Sequence, residues 1–323
     1  MVGVYRMHEA GPPEVMQWEE EDLGSPQANM ALIRHTAIGL NYIDTYHRSG
    51  LYPLPLPTRL GVEAAGVVEA VGPDVQDLKP GDRVAYAGGL GAYAEANLMP
   101  ASRLVTLPDD VSEEVAAASL LKGLTAAYLL TRTFPVQPGH RVLVHAAAGG
   151  VGLILCQWAN HLGATVIGTV GSQEKAALAR ANGAHHTILY REEDVVARVR
   201  DITGGQMVNV SYDSVGKDTF ESSLKSLAPL GMFVSFGNAS GNAPNVAPHD
   251  LQNGGSLFFT RPSLAHYTAV PAELRALADC FFSVVADGTV QIHINQRYAL
   301  SELVQAHRDL EARKTTGSTV IIP

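Results

Sequence analysis

At 323 residues the chain is long enough for two domains with separate cores. A hydrophobic fraction of 46%, with 31 glycines and 18 prolines, excludes a disordered chain and suits a turn-rich α/β enzyme. The formal net charge of −9 argues against a nucleic-acid or anionic-membrane surface, because both need clustered Lys and Arg. No segment is apolar for the roughly 18 residues that a membrane span requires. The opening stretch, MVGVYRMHEAGPPEV, lacks the apolar run of a secretory signal. Cys156 and Cys280, the only cysteines, stand in apolar helical runs (LILCQWA and DCFFSVV), which predicts core thiols in a reducing cytoplasm.

Residues 1–122 read as short β-rich pieces broken by Gly and Pro: VVEAVGPDV, LKPGDRVAYAGG, RLVTLPDDV. Pro80-Gly81 suits the centre of a type II turn feeding a strand over Arg83–Ala87, and the whole stretch predicts an irregular, barrel-like β domain. Residues 123–263 change character. Pro138-Gly139 repeats the turn, and strand-like runs follow at Arg141–Ala146, Thr165–Val170, His186–Tyr190, Val208–Asp213, Met232–Gly237 and Ser256–Thr260. Val151, Ile154, Leu155, Trp158 and Leu162 recur at helical spacing, and EKAALARANGA is a helix stopped by Gly183. Strands alternating with helices predict a doubly wound parallel sheet, a Rossmann fold. Residues 264–323 hold a helix (PAELRALADCFFSVVADG) and a last strand (STVIIP), expected to return to the first domain so that the α/β domain is an insertion.

The stretch HAAAGGVGLILCQWA carries the first chemical signal. A pyrophosphate at a helix N-terminus meets backbone N–H groups and the positive end of the helix dipole. Ala147, Gly149 and Gly152 occupy the three positions of GxGxxG, with the first glycine replaced. Preceded by the strand RVLVHA and followed by an amphipathic helix, the motif predicts dinucleotide binding, with Gly149, Gly150, Val151 and Gly152 near the pyrophosphate. At the end of the next strand, where an NAD enzyme places an acid for the ribose 2′-OH, the chain has Val170, then Gly171, Ser172, Gln173, Glu174 and Lys175. Without that carboxylate a 2′-phosphate is not repelled. Ser172 can donate to it and Lys175 can neutralise it, so NADPH is expected over NADH. Tyr190, followed by Arg191, places an aromatic beside the adenine. A solvated lysine in a first helical turn is the alternative for Lys175. Ser214 in YDSVG and Phe236 in VSFGN sit at strand carboxyl ends, where ligands of open α/β sheets bind.

The segments AIGLNYIDTYHRSGLYP, LGVEAAGVVEAVG, PGDRVAY, SLLKGLTAAYLL, HAAAGGVG, YDSVG, VSFGN and TGSTVIIP together resemble the medium-chain dehydrogenase/reductase superfamily, and within it the zinc-free quinone oxidoreductase branch, which includes zeta-crystallin-like proteins. The resemblance covers almost the whole chain and implies a GroES-like catalytic domain around the Rossmann domain. It also implies that the segment from Asn41 to Tyr46 lines the cleft near the nicotinamide, with Asn41 and Tyr46 as cofactor contacts. Tyr46 and Tyr52 become candidates for orienting the substrate, against the alternative of core or rim packing. Asp44 is expected either to bond a ribose or to cap local structure. Arg313 matches a family arginine near the adenosine phosphate, with a salt-bridged helix end as its alternative.

Zinc members of the superfamily hold their metal with a Cys, a His-Glu pair in GHE and a later Cys. Here the first position is Asn41, GHE reads Gly61-Val62-Glu63, and no cysteine precedes Cys156. No metal site is expected, because zinc needs three or four converging ligands. Glu63 is expected as a structural hydrogen-bond partner. Lacking a Lewis acid, the site is matched to acceptors that take hydride readily. The expected activity is NADPH-dependent quinone reduction, with enoyl or alkenal reduction as the nearest alternative. A crystallin-like structural or RNA-binding role is a third, disfavoured by the acidic charge. The branch commonly dimerises through an edge strand of the cofactor domain, and SLFFTR at Ser256–Arg261 is the candidate here.

Overall fold

The computed structural model describes all of Met1–Pro323. The chain divides into two compact units, one of Met1–Leu124, Thr268–Phe282 and Ile292–Pro323, the other of Thr125–Tyr267 and Ser283–Gln291. The tail is therefore shared rather than returning whole to the first unit. Gln291 explains the difference: its N–H donates to Gln157 Oε1 at 2.8 Å while its carbonyl accepts Gln157 Nε2 at 3.1 Å. Those two bonds tie the end of the loop after helix Pro271–Ala286 to helix Gly150–His161.

In the first unit the central element is the strand Met30–Leu40, whose mostly alternating burial marks a sheet with one buried face. It pairs along one side with Glu63–Val71, and two register shifts bend the ladder. Along its other side the first half pairs with Ala96–Pro100 and the second half with Ser318–Ile322. The last strand of the chain thus lies in the same sheet as the early strands. Arg83–Ala87 and Val105–Thr106 extend the sheet at one edge, and Ile294–Ala299 extends it at the other. A three-stranded sheet, Met16–Glu21, Val2–Met7 and Thr58–Arg59, accompanies it. Met7, Ile33, Ile38, Leu60, Tyr86, Tyr93 and Leu303 form the core. The Pro80-Gly81 turn closes with Asp82 N–H on the Lys79 carbonyl at 3.1 Å and Gly81 at φ +94°.

In the second unit six strands form one sheet in the spatial order His186–Leu189, Thr165–Val170, Arg141–Val144, Val208–Asp213, Leu227–Ser235, Phe258–Thr260. Every pairing is parallel. Chain order reverses between Arg141–Val144 and Val208–Asp213, the switch point at whose carboxyl side open α/β sheets bind ligands. Five strand limits differ from the sequence expectation: Tyr190, Gly237 and Ser256 fall one or two residues outside their strands, and two others differ for a visible conformational reason. The first strand ends at Val144 rather than Ala146, because Ala146 takes a left-handed φ of +52° and leaves the ladder. The fifth begins at Leu227 rather than Met232, continuing across a register irregularity that periodicity does not reveal.

Candidate active site

The turn after Arg141–Val144 is built to bring backbone close to a ligand. Ala146 reverses the chain, and its carbonyl accepts Gly149 N–H at 2.9 Å. Gly149 is the N-cap of helix Gly150–His161, and no side chain caps that helix end. The first N–H groups of a twelve-residue helix are thus offered where Gly149 and Gly150 carry no side chain, an arrangement that fits a pyrophosphate. Gly152 is obligatory for packing: a Cβ there would lie 2.3 Å from the Ala146 carbonyl oxygen. Ala147, at the first glycine position, is tolerated because Gly168 faces it on the neighbouring strand. A Cβ on Gly168 would lie 2.6 Å from the Ala147 methyl carbon.

At the end of Thr165–Val170 the chain passes Gly171 to Ser172, the N-cap of helix Gln173–Ala181, whose Oγ accepts Lys175 N–H at 3.3 Å. Ser172 also bonds Glu174, holding that carboxyl below its usual range. Tyr190 is partly exposed, and its hydroxyl would stand 2.9 Å from a Cβ on Gly171. The Arg191 guanidinium lies 6.0 Å from the Tyr190 ring centroid. Gly171, Ser172, Lys175 and Tyr190 are thereby gathered at two adjacent strand ends, and the last residue of the strand, Val170, brings no acid. This group could hold a phosphorylated adenosine. On the other side of the switch point, Phe236 N–H donates to the Asp213 carbonyl at 2.8 Å, and a Cβ on Gly237 would meet the Ser214 carbonyl at 2.4 Å. Ser214 and Phe236 therefore sit on touching turns.

Asn41, Tyr46 and Tyr52 lie in the first unit, on and beside helix Tyr42–Ser49. Asn41 Nδ2 donates to Glu63 Oε2 at 2.7 Å, so the buried carboxylate fixes the orientation of the amide. Asp44 caps the helix, accepting Asn41 N–H at 2.9 Å, and takes the Tyr93 hydroxyl hydrogen at 2.7 Å. Of the two roles open to it from sequence, capping is the one it performs. Burial raises its pKa to about 7. Tyr46 is 8% exposed and meets Tyr52 edge-on at 5.2 Å between centroids. Tyr52 N–H also bonds the Tyr46 carbonyl at 3.0 Å, so the two rings are held as a pair. Arg313 is exposed, with φ +58°, just past helix Leu303–Glu311. It belongs to the first unit.

Glu63 is fully buried and takes three partners: Asn41, Leu121 N–H at 2.6 Å, and Lys122 Nζ at 3.3 Å. Gly39 leaves room for it, since a Cβ there would be 2.3 Å from Glu63 Oε2. Lys122, Tyr93 and His307 were not singled out from sequence. His307 Nε2 stands 3.1 Å from the Tyr93 hydroxyl, and burial pushes its pKa down to about 3. Lys122 did leave a trace: it is the one charge in the apolar run AAASLLKGLTAAYLL. No cluster of three or more His, Cys, Asp or Glu side chains forms a ligand set for a metal. His185 Nδ1 instead accepts Val166 N–H at 3.1 Å, a local structural bond.

Two protein-family models match the chain: an alcohol dehydrogenase GroES-like domain over residues 27–109, and a zinc-binding dehydrogenase domain over residues 150–282. Quinone oxidoreductase of Pseudomonas aeruginosa is 53% identical over 315 residues, 97% of each chain. The chain belongs to the quinone oxidoreductase family of medium-chain dehydrogenases/reductases. A crystal structure of Escherichia coli quinone oxidoreductase complexed with NADPH superposes with a TM-score of 0.97 at 48% identity, covering 99% of this chain and 100% of that one. A 2-haloacrylate reductase from a Burkholderia species is 47% identical over 332 residues, 100% of this chain and 99% of that protein. The family's GroES-like and Rossmann-like parts correspond to the first and second units described above. The zinc-binding name of the second model describes the wider group; the His of GHE is Val62 in this chain.

Proposed function

We propose that the protein is an NADPH-dependent quinone oxidoreductase. The observation that carries this reading is the pairing of an uncapped, glycine-lined helix end at Gly149–Gly152 with a neighbouring strand that ends in Val170 rather than an acid and leads into Ser172 and Lys175, beside Tyr190. Helix N–H groups hold the pyrophosphate. Lys175 and Ser172 hold the 2′-phosphate, and the Tyr190 ring covers the adenine. Ser214 and Phe236 border the nucleotide at the switch point, and Arg313 adds a positive charge toward the adenosine phosphates. Bound NADPH supplies the reducing equivalents. Asn41, its amide held by Glu63, and Tyr46 contact the cofactor. Tyr46 and Tyr52 orient the acceptor, and solvent protonates the reduced product.

The test is turnover of simple quinones and of conjugated enals by purified protein with NADPH. Quinone reduction is the expected result, and activity confined to enals would overturn it. The kinship to 2-haloacrylate reductase favours reduction of an activated C=C bond as the second reading, in the same site.

The protein is expected to act in the cytoplasm as a homodimer. No helix is long and apolar enough to cross a membrane. Phe258–Thr260 is an edge strand of the nucleotide sheet, and Phe258 and Leu230 are 55% and 68% exposed, so this rim favours pairing with a second copy. Sedimentation as a monomer would remove that proposal.

A further inference from the structure

At the carboxyl side of the nucleotide sheet lies a buried row of hydrogen bonds with no role in the function proposed above. Asp213 closes its strand, wholly buried. Its Oδ1 accepts Val215 N–H at 2.8 Å, Gly216 N–H at 3.0 Å and the Thr219 hydroxyl at 2.8 Å. Its Oδ2 accepts the Ser223 hydroxyl at 2.6 Å. Ser223 Oγ also lies 2.9 Å from His145 Nε2, and His145 Nδ1 lies 3.0 Å from Thr169 Oγ1.

The direction of every bond follows. Ser223 has one hydroxyl hydrogen, and the carboxylate has none to return, so that hydrogen points at Asp213. The contact between Ser223 and His145 then has a single available donor, Nε2–H. Burial lowers the His145 pKa, so the ring is neutral and Nδ1 carries a lone pair that receives the Thr169 hydroxyl. The result is a one-way row: Thr169 donates to His145, His145 to Ser223, Ser223 to Asp213.

These residues stand on three neighbouring strand ends or against them. His145 immediately precedes the glycine turn, and Thr169 precedes Val170-Gly171. The Thr169 carbonyl also accepts Ala147 N–H at 3.1 Å. Asp213 immediately precedes Ser214. Sliding one strand end against another would strand a buried donor or acceptor, which is costly to leave unsatisfied.

We propose that His145, with Ser223 and Thr169, is a positioning residue that fixes the spacing of the three turns that grip the dinucleotide. All three are buried, and none is among the residues proposed to hold the nucleotide. The inference rests on the nucleotide reading of the preceding subsection.

The test uses Ser223→Ala and Thr169→Val in the full chain, each deleting one link at nearly constant volume. Calorimetry well below the melting temperature measures NADPH and, as a second probe, adenosine 2′-monophosphate, which has no 5′-phosphate to place on the glycine turn. In Ser223→Ala the NADPH dissociation constant should rise about tenfold, the loss expected for one unsatisfied buried partner. The monophosphate should weaken far less, and the double variant should lose less than the product of the single factors. Nitrogen-15 spectra of the wild-type imidazoles should show His145 as the neutral Nε2–H tautomer at neutral pH.

An Nδ1–H tautomer would overturn the row itself. Folded variants with lower melting temperatures but unchanged NADPH affinity would reduce it to core packing. Equal weakening of both probes would mean local damage at the Gly171 end and would also overturn the proposal. Wild-type protein that binds no NADPH would remove the nucleotide reading, a failure visible before any variant is made. If Ser223→Ala does not fold, Thr169→Val and the wild-type spectra decide.

Discussion

Lys122 Nζ lies 3.3 Å from Glu63 Oε2, with the lysine side chain 7% exposed and the glutamate 0%. A buried charge is tolerable only while its partner is present. Lys122→Met should therefore destabilise the protein by about 3–5 kcal/mol, read by urea unfolding. Combining it with Glu63→Gln should cost less than the sum of the single variants, because the second change removes the stranded charge. A single-variant loss below about 1 kcal/mol, the range of exposed pairs, would show that the lysine does not compensate Glu63.

Asp44 makes stability depend on pH in the direction opposite to an ordinary carboxylate. Its pKa, about 7 in the fold against 3.8, means that between those values the folded state keeps a proton that the unfolded chain has lost. Stability from this group thus falls as pH rises from about 4 to 7. Asp44→Asn, which keeps an acceptor for Asn41 and Tyr93, should gain on the wild type across that window. The gap between 3.8 and about 7 corresponds to on the order of 4 kcal/mol. His307 and His35, whose pKa values are pushed down to about 3 and about 4, act with the other sign, their stability lost as pH falls below 6.5. Their background cancels when variant and wild type are compared at each pH. A pH-independent difference would show that Asp44 is ionised throughout.

Lys175→Ala should weaken NADPH by about tenfold, within the range for one charge-assisted bond, and leave NADH nearly unchanged. Dissociation constants from fluorescence titration of both nucleotides decide it. Equal losses would show that the lysine does not read the 2′-phosphate.

Glycine in the turn is needed to different degrees at two positions. The Cβ of Gly152→Ala would meet the Ala146 carbonyl at 2.3 Å, whereas that of Gly149→Ala would stand 3.2 Å from the same atom. Gly152→Ala should abolish measurable NADPH binding and lower the melting temperature. Gly149→Ala should keep the fold. Similar behaviour of the two variants in calorimetry would contradict this geometry.

Much of the α/β sheet was legible because each strand is a short apolar run with its own turn signal, and the glycine turn names its place by local spacing. Strand limits failed where the reason was conformational: left-handed Ala146 still looks like strand in sequence, and Leu227 joins its strand across an irregularity. The environment of Asn41 was illegible for a different cause. Glu63 and Lys122 meet it only after an eleven-residue strand, a nine-residue strand and a long helix have folded together. Buried polar networks are agreements between distant segments, so no window of sequence contains them. His145 shows the same limit, since its partners Thr169 and Ser223 come from a different strand and a different helix.

The contact of Ala147 with Gly168 changes how the incomplete fingerprint should be understood. What the nucleotide turn requires at that point is one absent methyl group, and either side of the ladder can provide the vacancy. Exchanging the two residues, Ala147→Gly with Gly168→Ala, should preserve the fold that Gly168→Ala alone disrupts. A motif written along one line of text scores this protein as defective; written across two neighbouring strands, it is whole.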